Sequence, residues 1–209
     1  MTARSAFPLI VALTLFWLAP VSPALAEPTE TDQKIQRAAQ ANPASGLVFL
    51  EARFHQDGET SPKLCQKIWV WLVPDQGKRT ILFSQVSPTL FGRAADSSTY
   101  GGWAVLDPGV YTVAQVWCEG PAGINAPGMF ARFAVQTGQV LNLGCLVIDF
   151  KLGPVTLFER RRDSGDWRVE DLTPLALASL RKEAPVAFSK ATKRHMTPMR
   201  QVSKPKLPQ

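Results

Sequence analysis

Histidine is scarce in this 209-residue chain: there are two, His55 and His195. A hydrolytic triad needs an imidazole base, and only His55 falls in the segment that reads as folded. The three cysteines, Cys65, Cys118 and Cys145, match no zinc spacing, and no G-x-S-x-G nucleophile elbow occurs. Glycine-rich phosphate loops are lacking too. Gly120-Pro-Ala-Gly123 and Gly101-Gly102 do not join a strand to a helix and read as turns. Glu170-Asp171 adjoin a helix start, where negative charge is favourable, and read as capping groups rather than an acid–base pair. These absences leave no catalytic residue, metal ligand or cofactor to assign, and His55 reads as an ordinary surface histidine.

Long apolar runs are absent apart from one at the amino terminus. Arg4 is followed by an apolar stretch from Phe7 to Ala19, then Pro20, then Ala24-Leu25-Ala26 before Glu27. That is the order of a secretory signal peptide. The run is about 13 residues, short of the roughly 20 that a spanning helix needs. Residues 1–26 are therefore expected to be a signal peptide cleaved after Ala26, giving a periplasmic or secreted protein. No cysteine follows the cleavage point to carry a lipid anchor.

Acidic residues are missing from one end. The net charge is +6, but residues 184–209 hold Lys190, Lys193, Arg194, Arg200, Lys204 and Lys206 and no Asp or Glu. The rest of the expected mature chain is near neutral, so basicity belongs to this tail and not to a folded face. With four prolines and few apolar side chains, 184–209 is expected to be disordered. Such a tail suits an anionic envelope polymer or membrane surface, bound by charge and released by salt. It lacks the interleaved aromatics of a nucleic-acid platform.

What is present is β-pattern. A helix or arm is expected within 27–45, over Thr31 to Ala41, with Asp32 as cap and Pro43 as stop. Strands are expected at Leu47 to His55, at Lys67 to Val73 (apolar at nearly every position, hence covered on both faces) and at Arg79 to Val86, the last two forming a hairpin. Residues 87–97 read as an irregular connection. Asp107-Pro108-Gly109 turns the chain into a strand from Val110 to Cys118, and the Gly- and Pro-rich Glu119 to Gly128 reads as a loop. Met129 to Val135 and Val140 to Phe150 flank Gln136-Thr137-Gly138-Gln139 as a hairpin. Val155 to Glu159 and Asp166 to Val169 are shorter strands, and Thr173-Pro174 opens a short helix ending near Glu183. The sum is an all-β antiparallel β-sandwich of eight or nine strands over 46–183, with a short C-terminal helix and a disordered basic tail.

Confinement of all the cysteines to the exported part fits an oxidising compartment. Cys145 sits in an apolar run and reads as a buried thiol. Cys65 and Cys118 flank strand ends and are the expected disulfide, contributing roughly 4 kcal/mol if unstrained. On alternating faces, Trp69 and Trp71 point one way while Ile68, Val70 and Leu72 point the other; Tyr111 and Trp117 share a face of their own strand. Exposed, these four aromatics could form a sugar platform. Covered, they are core, which is the favoured reading because large aromatics dominate sandwich interiors.

The segments Leu106-Asp-Pro-Gly-Val-Tyr111, Phe133-Ala-Val-Gln-Thr-Gly138 and Leu143-Gly144 resemble bacterial exported β-sandwich domains of the PEGA-like and transthyretin-like kind. The resemblance covers about residues 100–150. It implies the fold and an envelope setting, and it carries no catalytic residues. The function expected is a non-enzymatic binding or structural accessory protein of the cell envelope. The alternatives are a carbohydrate-binding module using exposed tryptophans and, less favoured, an envelope hydrolase built on His55.

Overall fold

The computed structural model describes residues 27–56, 59–60, 67–76, 81–86, 89–90, 93–94, 101–119, 124–155 and 160–199. Residues 1–26, expected to be a signal peptide, Cys65, Gly120 to Gly123, Thr156 to Glu159, most of 87–97 and residues 200–209 lie outside them. In chain order the elements are α1 (Glu30–Ala41), β1 (Gly46–Gln56), β2 (Glu59–Thr60), β3 (Lys67–Pro74), β4 (Ile81–Val86), β5 (Thr89–Leu90) and β6 (Arg93–Ala94). There follow β7 (Gly102–Leu106), β8 (Gly109–Glu119), β9 (Ile124–Val135), β10 (Val140–Val155), β11 (Arg160–Glu170), α2 (Pro174–Glu183), α3 (Pro185–Phe188), β12 (Thr192–Lys193) and β13 (Thr197–Pro198).

Two sheets carry the fold. Sheet B, ordered β13-β9-β8-β3-β4, is antiparallel throughout, and β3 pairs with β4 as expected of that hairpin. Sheet A, ordered β11-β10-β1-β2, also takes β7 beside β1 and β12 beside β10. It is mixed: β1 runs parallel to β10, and so does β12. The expectation of wholly antiparallel pairing is corrected here.

The cause lies in the turn at Gln136 to Gln139. β9 belongs to sheet B and β10 to sheet A, so this turn is not the hairpin expected; it carries the chain between layers. Gly138, at φ 71°, takes the left-handed conformation at its tip. Its N–H donates to Ser45 O at 2.9 Å, and Leu47 N–H donates to Gln139 O at 2.8 Å. The turn is thereby docked on the start of β1, and β10 leaves it running beside β1 in the same direction. β9 also starts earlier than expected, so Ile124 to Gly128 is strand rather than loop, with Pro127 next to a register break that spares it an N–H.

Between the sheets, Val48, Leu50, Ala52 and Phe54 of β1 pack with Ile68, Val70 and Leu72 of β3 and with Val113 and Val116 of β8. A second core forms on the other face of sheet A, where Leu47 and Phe49 meet Ile35, Ala176, Leu180 and Phe188 of the helices. Phe49 and Phe188 meet edge to face, ring centres 5.0 Å apart. Helix α1 starts from Thr29 rather than Asp32. The Thr29 hydroxyl accepts from Asp32 N–H at 3.1 Å and the Asp32 carboxylate accepts from Thr29 N–H at 3.2 Å, a capping box. Asp32 also accepts from Ala187 N–H at 2.9 Å, so one carboxylate ties the first helix to the last.

The disordered basic tail is corrected for residues 184–199. Ala184 and Phe188 belong to the second core, and Met196, at 2% exposure, to the first. Arg194 and Met196 donate backbone N–H groups to Asn142 O and Leu143 O in sheet A, and Met199 donates to Phe130 O in sheet B. This segment is a strap across the open side of the sandwich. Few apolar residues suffice to order it because those three are almost wholly buried and its backbone is paired with both layers.

Candidate functional site

The outward face of sheet B is built by strand alternation. On β3, Ile68, Val70 and Leu72 enter the interior, which sends Lys67, Trp69 and Trp71 outward. Burial along β3 alternates, so the strand is covered on one face and not on both as expected. Trp69 and Trp71 are half-buried, not core. Trp117 of β8 lies directly opposite Trp69, and it is 37% exposed. Gln115 faces Trp71, and Glu119 faces Lys67.

Polar groups frame these rings. Trp69 Nε1–H donates to Glu119 Oε2 at 2.8 Å, and the Lys67 ammonium stands 3.8 Å from the centre of the Trp69 ring. The indole of Trp69 is therefore held at its edge and across one face. Gln115 Nε2 donates to Asn125 Oδ1 at 2.7 Å, with Asn125 opposite Trp117. Trp117 is left as the ring most open to a ligand.

Tyr111 does not join them, although strict alternation puts it on the face of Trp117. Leu72 pairs with Val113 and Trp71 with Gln115, so Ala114 is an extra residue on β8. This bulge inverts the alternation. Tyr111 and Val113 point inward before it, and Val116 and Cys118 point inward after it. Tyr111, 2% exposed, stacks on Phe133 at 5.7 Å and donates its hydroxyl to Asp107 O at 2.8 Å. That tyrosine pins the Asp107-Pro108 corner where the chain passes from β7 in sheet A to β8 in sheet B.

The outward face of sheet A holds a second polar group whose members are too far apart in sequence for spacing to bring together. β1 and β10 place His55 beside Asp149 and Glu51 beside Cys145, and β11 adds Arg168 and Glu170. His55 Nδ1 lies 3.1 Å from Asp149 Oδ1, and Arg168 bridges Asp149 and Glu170. The His55 side chain is 12% exposed, so the surface histidine expected is mostly covered. Burial first, then the Arg53 and Arg168 guanidinium groups, hold its pKa below the ordinary value against the opposing pull of the Glu170 carboxylate. The Cys145 thiol is free and buried, and burial together with the Glu51 carboxylate pushes its pKa far up, which disfavours a nucleophilic thiolate.

Glu170 and Asp171 do not cap α2 as expected. Glu170 pairs with Arg168, and Asp171 with Lys193 and His195. The carboxylate that serves α2 is Glu51, 2% exposed, which accepts from Thr173. Its signal in the sequence is a charge on the same strand face as Leu47 and Phe49. Among the described residues no group of three or more His, Cys, Asp or Glu could hold a metal ion, and no helix is long and apolar enough to cross a membrane. Compared with known proteins, the chain matches no family model, no curated sequence and no solved structure.

Proposed function

We propose that this chain is a non-enzymatic, exported bacterial envelope protein that binds glycan on the outward face of sheet B. The observation that carries the reading is Trp117, exposed and directly opposite Trp69, with Trp71 and the Gln115–Asn125 amide pair beside it. An indole face offers a flat apolar surface to a sugar ring, and neighbouring amides and carboxylates offer hydrogen bonds to its hydroxyls. Export is supported by the n-region, h-region and small-x-small order before Glu27, with cleavage after Ala26 and a periplasmic or secreted product. A Cys65–Cys118 disulfide belongs to the same proposal, supported by the place of Cys118 at the end of β8 and by Cys145 as a free, buried thiol. The PEGA-like or transthyretin-like resemblance is kept as part of it, and so is attachment of the basic carboxyl end, with Arg200, Lys204 and Lys206, to an anionic envelope surface.

The test is titration of the folded protein with soluble envelope oligosaccharides, followed by tryptophan fluorescence. A saturable shift is expected, with affinity lowered about tenfold in Trp117→Ala, roughly 1.4 kcal/mol. Unchanged fluorescence across the oligosaccharides, or equal affinity in that variant, defeats the reading.

A further inference from the structure

The strap that closes the sandwich also builds a cleft. After Arg194 N–H and Met196 N–H have bonded to β10, the chain crosses to sheet B, where Thr197 pairs with Arg132 of β9. At this corner lies a cavity of about 470 Å³. Its size falls within the roughly 300–1,000 Å³ of small-molecule sites. Arg132, Arg194, His195 and Thr197 supply its polar lining, Val110 and Ala134 part of its apolar lining, and no carboxylate is among its described lining residues.

The two acids near this cleft stand outside its lining and fix its donors. Asp75 pairs with Arg132, and Asp171 Oδ1 lies 2.7 Å from His195 Nε2. A guanidinium has five N–H donors, so a single carboxylate does not exhaust Arg132. Among the described residues no acid pairs with Arg194. An open cavity with two guanidinium groups in its lining, one of them with no acid partner among the described residues, carries surplus positive potential that an anion can meet.

We propose that this cleft binds a small organic anion, with its carboxylate or phosphate on Arg194 and Arg132 and its carbon skeleton against Val110 and Ala134. Guanidinium groups match both oxyanions with paired N–H bonds. Thr197 adds a hydroxyl that can donate to the anion or accept from a ligand hydroxyl. Val110, Arg132 and Ala134 lie on the outward face of sheet B, but Val110 is seven residues along β8 from Trp117 and no tryptophan is among the lining residues.

The experiment is amide NMR of the folded protein titrated separately with glucuronate, inorganic phosphate and glucose. Saturable shifts at Ala134 and Thr197 are expected with an anion and not with glucose. Arg194→Gln, an exposed position, should weaken binding about tenfold, in line with the loss of a charge-assisted hydrogen bond. Arg194→Lys should retain part of it, and Trp117→Ala should leave it unchanged. Tighter binding of glucuronate assigns an acidic sugar, and tighter binding of phosphate assigns a phosphorylated molecule. Shifts as large with glucose, no saturable shift with either anion, or shifts that survive Arg194→Gln overturn the proposal.

Discussion

The buried carboxylate of Glu51 holds Thr173 at two points, accepting its backbone N–H at 2.9 Å and its hydroxyl at 3.0 Å. The same hydroxyl accepts from Ala176 N–H at 3.1 Å, so it serves the first turn of α2 while donating to sheet A. A strand residue thereby fixes where the helical layer begins. Cys145, its neighbour on β10, is covered by the same arrangement.

Removing that carboxylate leaves the Thr173 N–H without its acceptor. Glu51→Ala is expected to lower unfolding stability by about 2–3 kcal/mol, combining a lost charge-assisted bond with a lost support for the cap. Glu51→Gln keeps one accepting oxygen and should cost less. Urea unfolding of the three proteins checks this, and a Glu51→Ala midpoint equal to that of the parent contradicts the role given to Glu51.

Local signals were readable in the sequence, and relationships between layers were not. Thr173 and Pro174 announce α2 because cap and first-turn chemistry depend on residues in immediate sequence contact. The Ile68-Val70-Leu72 alternation was equally plain. Which side of β3 faces out was not, since Trp69 and Trp71 are as apolar as the residues between them, and the answer depends on what sheet A covers. Parallel pairing of β1 with β10 is set by how a turn docks on Ser45 and Leu47, far away in sequence. Bulges at Ala114 and Gly144 reverse the alternation where they occur, so strict alternation puts Tyr111 on the face of Trp117 while the folded strand turns it inward. Phe49 pairs with Asn142 and Glu51 with Cys145, leaving Gly144 as the extra residue of β10. Its φ of 81° favours glycine, and any Cβ there would collide with the Glu170 carbonyl oxygen.

His55 should make stability depend on pH in one direction. Its folded pKa lies below the ordinary value near 6.5, so between the two values the unfolded chain binds a proton that the folded chain does not. Stability contributed by this group is therefore full above about pH 6.5 and falls as pH drops through that value toward the folded pKa. His55→Gln removes the titrating group and should flatten the melting temperature between about pH 7.5 and pH 5.5. If the variant and the parent lose stability in parallel over that interval, burial of a neutral imidazole beside Asp149 is not its source.

The strap offers the sharpest contrast between composition and structure. Met196 is flanked by His195 and Thr197 and lies among basic residues, which reads as solvated chain, yet it sits in the sandwich interior with Leu143 and Phe130. Met196→Ala should cost about 2–5 kcal/mol, the range for emptying a buried site of that size, whereas Lys190→Ala on the exposed side of the same segment should stay within about 0.5 kcal/mol. Hydrogen exchange supplies an independent reading. The Arg194 and Met196 amides, bonded to Asn142 and Leu143, should be protected to nearly the extent of the central strands if the strap opens only with global unfolding. Rapid exchange at both positions together with a neutral Met196→Ala would mean that the sandwich holds without its carboxyl-terminal closure, and the anion cleft that the strap encloses would lose its wall.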